Sequence, residues 1–440
     1  MSAIIPLFSL LAVIVLIVVA TTRWRLHPFL ALIVGGAAYG LVNGLSVEAT
    51  LAALTGGLGK TVSGIGIVIA SGCIIGAVLE RTGAALVMAN TALRLVGAGR
   101  SVLAMAITGS VVSVPVFCDS GYVVLSPLAR SLARRTKHSM AAFATALSMG
   151  LYATHCLVPP TPGPVAAAGE LHADLGRVIA LGLVVVVPVV AMAWAYAVWA
   201  GRRWDIEPPA AQISGEDEDV ARLPNALTAF APILLPVVLI ALRSLAGPGA
   251  GAVLGLLGDP NVALMLGAFL ALALARGHGA EALGDWTGEA LRAAGAIVLI
   301  TAAGGALGAV LRVTPLADQI GHMLKAFDLG RLNIVLPFLV AAGIKTAQGS
   351  STVAIVTTAS LVAPLLGALG LDTPTALALT TLAIGAGAMT VSHVNDSYFW
   401  VVTQLSGLTV GQGYRVVTVA SGLAGLTALL AVVVLRLILA

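Results

Sequence analysis

Between Pro374 and Leu405 the chain carries almost no charge, and this run is longer than the ~20 residues one helix needs to cross a bilayer. Its second half nevertheless holds Ser392, His393, Asn395 and Asp396. A carboxylate inside a membrane segment costs about 2.5–3.5 kcal/mol on insertion scales, so such groups face a cavity or a partner. Gly385 and Gly387 lie just ahead of the polar cluster. The pattern predicts a helix that unwinds partway and presents polar groups. Ser, His and Asn also bond across packed helices with no further role, but that plainer reading leaves Asp396 without a partner.

Composition puts this run in context. Of 440 residues, 59% are hydrophobic and only 10% charged, against about 25% charged in soluble domains. With mean hydropathy +1.04, the chain reads as an all-α polytopic membrane protein whose surroundings are the lipid bilayer. A net charge of +4 does not signal a nucleic-acid partner, because the basic residues flank membrane segments, where orientation explains them. Cys73, Cys118 and Cys156 all fall in apolar segments, with no CxxC or Cys/His spacing. Neither a disulfide framework nor a metal site is expected, and no organic cofactor. Met1 to Ala20 has an apolar core without a preceding basic region, so it is expected to be a retained first span.

A hydrophilic stretch, 201–224, contains Glu216-Asp217-Glu218-Asp219 and separates residues 1–200 from 225–440. It reads as a cytoplasmic linker. The flanking parts repeat each other in order: Gly76-Ala77-Val78-Leu79 corresponds to Gly308-Ala309-Val310-Leu311, Gly99-Arg100 to Gly330-Arg331, and Thr154-His155 to Ser392-His393. Segments 101–135 and 331–368 each consist of two short apolar arms around a polar tip. Such arms fit re-entrant hairpins better than full crossings, and irregular backbone at membrane depth is tolerated where it lines a cavity. Amphipathic stretches at about 84–97 and 315–327 are expected to lie along the interface. Segments 139–172 and 374–405 read as broken helices. With hairpins not crossing, about ten transmembrane helices remain, and an odd number in each half requires the two repeats to be inverted. Basic residues divide roughly two to one between the sides of this topology. That bias predicts a cytoplasmic Lys137, an external Lys325 and first hairpin opening from the cytoplasm, with both termini outside.

Four groups that can exchange protons lie in apolar segments: Asp119, His155, His393 and Asp396. The other acidic residues read as loop or segment-end positions. Desolvation lets a carboxyl load and release a proton near neutral pH, and histidine titrates there unaided, so these four are the proton-coupling candidates. Val158-Pro159-Pro160-Thr161-Pro162-Gly163-Pro164 breaks the segment that begins near Met140, because proline removes a backbone donor and clashes with the preceding turn. Gly349-Ser350-Ser351-Thr352 opens the second arm of the second hairpin, where free amides and hydroxyls suit an anion; the same residues are also good N-caps. Lys345 stands nearby, able to face an anionic substrate or to neutralise a carboxylate such as Asp396. The substrate-binding candidates are Ser120, Thr161, Lys345, Gly349, Ser350, Ser351, Thr352 and Asn395.

The chain resembles the gluconate permease family of bacterial transporters, within the wider group of ion-coupled organic-anion carriers. The motifs that carry the resemblance are Val-Pro-Val-Phe-Cys-Asp-Ser-Gly-Tyr at 114–122, Thr-His-Cys-Leu-Val-Pro-Pro-Thr-Pro-Gly-Pro at 154–164, Ala-Asp-Leu-Gly at 173–176, Gln-Gly-Ser-Ser-Thr-Val-Ala at 348–354 and Ser-His-Val-Asn-Asp at 392–396. The resemblance implies proton-coupled uptake of gluconate or a related small hydroxy or sugar acid across the inner membrane by elevator-type alternating access. A sodium-coupled carrier of organic anions or D-amino acids is the alternative, with Asp396, Asn395 and unwound carbonyls as the sodium site. A homo-oligomer, a dimer, is expected. Two departures bear on substrate: the first tip reads Phe117-Cys118-Asp119 where the family has two aromatics and Glu, and Thr161 stands where the family often has His. The inverted repeat and paired hairpins argue against a membrane-embedded enzyme and against a channel.

Overall fold

The structure is a computed structural model that describes residues 5–96, 100–114, 116–209, 223–246, 251–314, 330–394 and 396–439. Asn395, most of the linker and the 315–327 stretch with Lys325 lie outside the described residues. Among the described residues every regular element is helical. In order they are α1 Ile5–Thr22, α2 Pro28–Val42, α3 Val47–Arg81, α4 Ala84–Val96, α5 Ser101–Val112, α6 Cys118–Thr136, α7 Met140–Leu157, α8 Pro162–Glu170 and α9 Leu175–Arg203. After the linker come α10 Ala226–Ala246, α11 Gly251–Leu257, α12 Pro260–Leu274, α13 Ala280–Arg312, α14 Val335–Gln348, α15 Ser351–Val362, α16 Pro374–Met389, α17 Ser397–Leu405, α18 Val410–Gly413 and α19 Val419–Leu439. Short 3₁₀ turns, and a π-turn at Tyr414–Thr418, join some of them.

The helix boundaries follow ordinary capping chemistry. Ser46, Ser139, Asp174, Asp259 and Thr373 each accept a backbone N–H in the first turn of the helix they precede, which satisfies donors that a helix start leaves unpaired. Proline sits in the first turn of α2, α8, α12 and α16, where its missing N–H costs nothing. Arg81, Arg134, Arg135, Arg202, Arg203 and Arg312 occupy last turns, complementing the negative helix end.

Among the described residues, 6 helical stretches can cross a membrane by length and composition, or 7 when α11 and α12, bent by 62°, count as one span. The sequence topology has about ten crossings. Further apolar helices among the described residues, α2 and α16 for example, are only 10–17 residues long and fall short of a full crossing by that measure.

The two long helices α3 and α13 pack extensively against each other, with α2 and α12 beside them. A second group surrounds α7, all of whose residues are buried: α5, α6 and α9, together with α16 and α19. Small residues set these approaches. A β-carbon on Gly385 of α16 would run into the Cys156 carbonyl of α7, and one on Gly387 into the Phe338 carbonyl of α14. In lipid, where hydrophobicity does not drive helices together, such backbone-to-backbone contact is a principal source of association. The two groups meet where α8 and α15 pack against α3 and α13.

Candidate functional site

Four interruptions supply the polar groups. Between α5 and α6, the Ser113 hydroxyl donates to the Val116 carbonyl at 3.0 Å, and Asp119 sits in the first turn of α6. Between α7 and α8, Thr161 donates to the Val158 carbonyl at 2.7 Å and precedes Pro162 at the start of α8. Between α14 and α15, Gly349 takes a left-handed conformation, φ +89°, which glycine adopts without steric cost, and Ser350 accepts from the Val353 N–H at 3.3 Å. Between α16 and α17 the helix is interrupted. There the Ser392 N–H donates to Ser421 Oγ at 2.9 Å, and Thr418 donates to the Ser392 carbonyl at 2.6 Å. That break is therefore pinned by the residues just before and within α19.

The third and fourth interruptions converge on one ion pair. Lys345, in the last turn of α14, is wholly buried, and its Nζ lies 2.6 Å from Asp396 Oδ2. Nζ also donates to the Gly349 carbonyl, and the Ser392 hydroxyl donates to the same Asp396 oxygen. Asp396 Oδ1 accepts the Tyr398 N–H at 3.0 Å, capping α17. One carboxylate thus satisfies a lysine, a hydroxyl and a helix end. The Tyr152 ring lies 5.9 Å from Nζ, within cation–π range.

Aromatic side chains close around this pair. Tyr152 packs against Tyr398 at 5.2 Å between centroids and stacks on His155 at 6.4 Å; Phe117 meets His155 at 6.0 Å, and Tyr122 meets Tyr398 edge-on at 6.2 Å. Their hydroxyls are anchored: Tyr152 to the Ala388 carbonyl, Tyr398 to the Ser148 carbonyl, Tyr122 to Ser406. Two buried atoms within this shell lack a hydrogen-bond partner, Asp119 Oδ1 and His155 Nδ1. Asp119 is near enough to feel the charges of both Asp396 and Lys345.

The candidates fall into three groups. Lys345, Gly349, Asp396 and Ser392 touch one another, with Ser351 beside the Tyr152 hydroxyl and the Cys156 thiol; Asp119 and His155 stand in the surrounding shell. His393 points elsewhere, its Nε2 3.0 Å from the Thr346 carbonyl. The hydroxyls of Thr161 and Ser350 are committed to their own turns, and Ser120 faces Glu80 of α3. Thr352 follows in the first turn of α15, half-buried. Sequence reasoning missed the tyrosines, which look like core in an apolar helix. It also placed Glu170 among segment-end residues, whereas the Glu170 side chain is 6% exposed and paired with Arg312 at 2.8 Å. The signal was present, because Glu170 falls inside the 139–172 run. Among the described residues no group of three His, Cys, Asp or Glu side chains is placed to hold a metal ion.

Comparison with known proteins agrees with this architecture. The family described as GntP family permease matches residues 5–438. A gluconate permease of Pseudomonas aeruginosa is 32% identical over 446 residues, covering 98% of both chains. The D-serine transporter DsdX of Escherichia coli is 31% identical over 432 residues, covering 96% of both. In three dimensions the chain resembles the Alcanivorax borkumensis YdaH transporter, with TM-score 0.69 over 93% of this chain and 97% of that one, at 17% identity. A helical membrane fold with a buried polar centre and these relatives defines a multi-pass transport protein, not an enzyme. The chain belongs to the GntP permease family.

Proposed function

We propose that the chain carries a small hydroxy or sugar acid, gluconate or a close chemical relative, together with a proton, across the bacterial inner membrane. The observation that carries the reading is the buried Lys345–Asp396 pair at the junction of two interrupted helices. As it stands the pair is electrically balanced. A substrate carboxylate arriving alone on Lys345 would leave Asp396 without its counter-ion, and a proton arriving alone on Asp396 would leave Lys345 so. Uncompensated charge in such surroundings costs several kcal/mol. Arriving together they restore balance, with the carboxylate on Lys345 and the proton on Asp396. Coupling then follows from electrostatics alone. The Gly349 turn and the start of α15 supply additional amide donors, and the helix end adds about half a positive charge. Asp119, with its unpartnered oxygen facing the same charges, is a second place for the proton.

In the same proposal the halves are inverted repeats with about ten crossings and external termini. The two hairpins, 101–135 and 331–368, and the two broken helices form a moving unit that slides along α3 and α13, in a homodimer. A second reading keeps the site and changes the cargo: the D-serine transporter among the relatives also moves a carboxylate. Counterflow in proteoliposomes separates the readings. Vesicles loaded with unlabelled gluconate should trap labelled gluconate transiently, and D-serine should compete poorly. Trapping by D-serine and not by any sugar acid would transfer the assignment to an amino acid. An enzyme would alter the label, and a channel would show no counterflow.

A further inference from the structure

Away from the Lys345 centre, a cavity of ≈ 700 Å³ opens at the seam between α3, α8 and α13, lined by Lys60, Thr61, Glu170, His172 and Arg312. Lys60 Nζ lies 3.5 Å from His172 Nε2, and Lys60 is exposed, with no carboxylate in ion-pair distance among the described residues. Arg312 gives one guanidinium nitrogen to Glu170 at 2.8 Å while its side chain stays 35% exposed. Two fixed cations thus face one buried carboxylate, leaving a positive excess. Partial burial, and then the charges of Lys60 and Arg312, hold His172 below its usual pKa, so both charges converge on this space.

An adjoining cavity of ≈ 610 Å³ shares the walls at Ile65, Ala168 and Gly169 and contains Arg177 and Arg243. There Arg243 is already matched by Asp259 at 2.8 Å. The two cavities differ in charge balance: Asp174 and Asp259 line the second along with its two arginines, whereas among the described residues Glu170 is the single carboxylate lining the first, against Lys60 and Arg312. The backbone lets the Glu170 carboxylate sit close against α13. Gly305 and Gly308 of α13 lie under the Glu170 carboxylate, where added β-carbons would stand 3.1 and 3.0 Å from its oxygens. The pair also joins the two helical groups, because α8 continues the broken helix that carries His155 whereas Arg312 ends α13.

We propose that the cavity lined by Lys60, His172 and Arg312 is an outer docking site for the substrate's carboxylate, which competes there with Glu170 for Arg312. The site takes small organic anions from solution ahead of the buried centre, and occupancy loosens the contact that ties α8 to α13. This inference rests on the transport reading for its cargo, but its test is local. Gly56 lines the cavity and has open space where a side chain would project. Gly56→Cys, in a background with the three buried native cysteines replaced, is labelled with a sulfonate-bearing and a trimethylammonium-bearing methanethiosulfonate. Relative to a free thiol, the anionic reagent should be favoured about tenfold, the low end for a focusing cleft. Lys60→Met should abolish the preference and Glu170→Gln should raise it. Gluconate and lactate should slow the sulfonate reagent and the neutral polyol sorbitol should not, and protection should persist in the Lys345→Met, Asp396→Asn double variant, which removes the buried pair as a whole. Equal rates for both reagents, or no protection by either acid, would overturn the site. Protection that vanishes in the folded double variant would assign it to the buried centre instead. Vesicles that fail to transport while protection persists would count against the transport reading alone.

Discussion

Among single residues, Lys345 and Asp396 depend on each other most directly. Removing one member of a buried pair leaves the other uncompensated and typically costs about 3–5 kcal/mol. Lys345→Met alone should therefore lower the Tm of purified protein sharply, and adding Asp396→Asn should recover much of the loss. If the Lys345→Met protein, with Asp396 intact, were as stable as the parent, the carboxylate would not depend on the lysine. Both residues were visible in the sequence as charges inside apolar runs, and pairing was one of two roles open to Lys345. Choosing between them required the fold, since 51 positions separate the two and nothing local brings them together. The tyrosines around them were not legible, because a hydroxyl that reaches a carbonyl on another helix has no mark in its own segment. Ser350 and Thr161 show the converse: residues suited to ligand binding are spent on their own backbones.

Elements were more legible than partners. The proline run at 158–164 and the Gly349 turn announce helix ends through backbone chemistry, and α7 and α14 do stop there. What the sequence did not reveal is how closely the pieces pack. Gly387 reads as one small residue among many, yet a β-carbon there would collide with backbone of α14, which cannot rotate away as a side chain does. Gly387→Ala should destabilise the folded protein by about 1–3 kcal/mol, the usual cost of overpacking, read as a lower Tm in detergent. Gly284→Ala, where the added carbon meets open space within α13, should leave it unchanged or raise it slightly, because alanine favours the helix over glycine. Equal Tm values for the two variants would mean that α16 and α14 do not meet through Gly387.

On the scale of the whole molecule, α3 and α13 form one packed frame, and the interrupted helices gather their polar ends beside it. Two buried charged groups find partners across the fold, Lys345 with Asp396 and Glu170 with Arg312. Such a balanced interior moves an anion most readily when a cation travels with it. A proton and a carboxylate together carry no net charge, so the membrane potential does no work on the pair and the pH gradient alone drives it, supplying about 1.4 kcal/mol, or tenfold accumulation, per pH unit. Labelled gluconate uptake into proteoliposomes under an inside-alkaline pH gradient tests this coupling, for the parent and for Asp396→Asn combined with Lys345→Gln, a neutral pair in place of the charged one. The parent should concentrate gluconate when the proton gradient is present and merely equilibrate it when the gradient is collapsed, while the neutral pair should not concentrate it in either case. Accumulation that ignores the proton gradient and follows sodium, or full proton-driven accumulation by the neutral pair, would contradict the account.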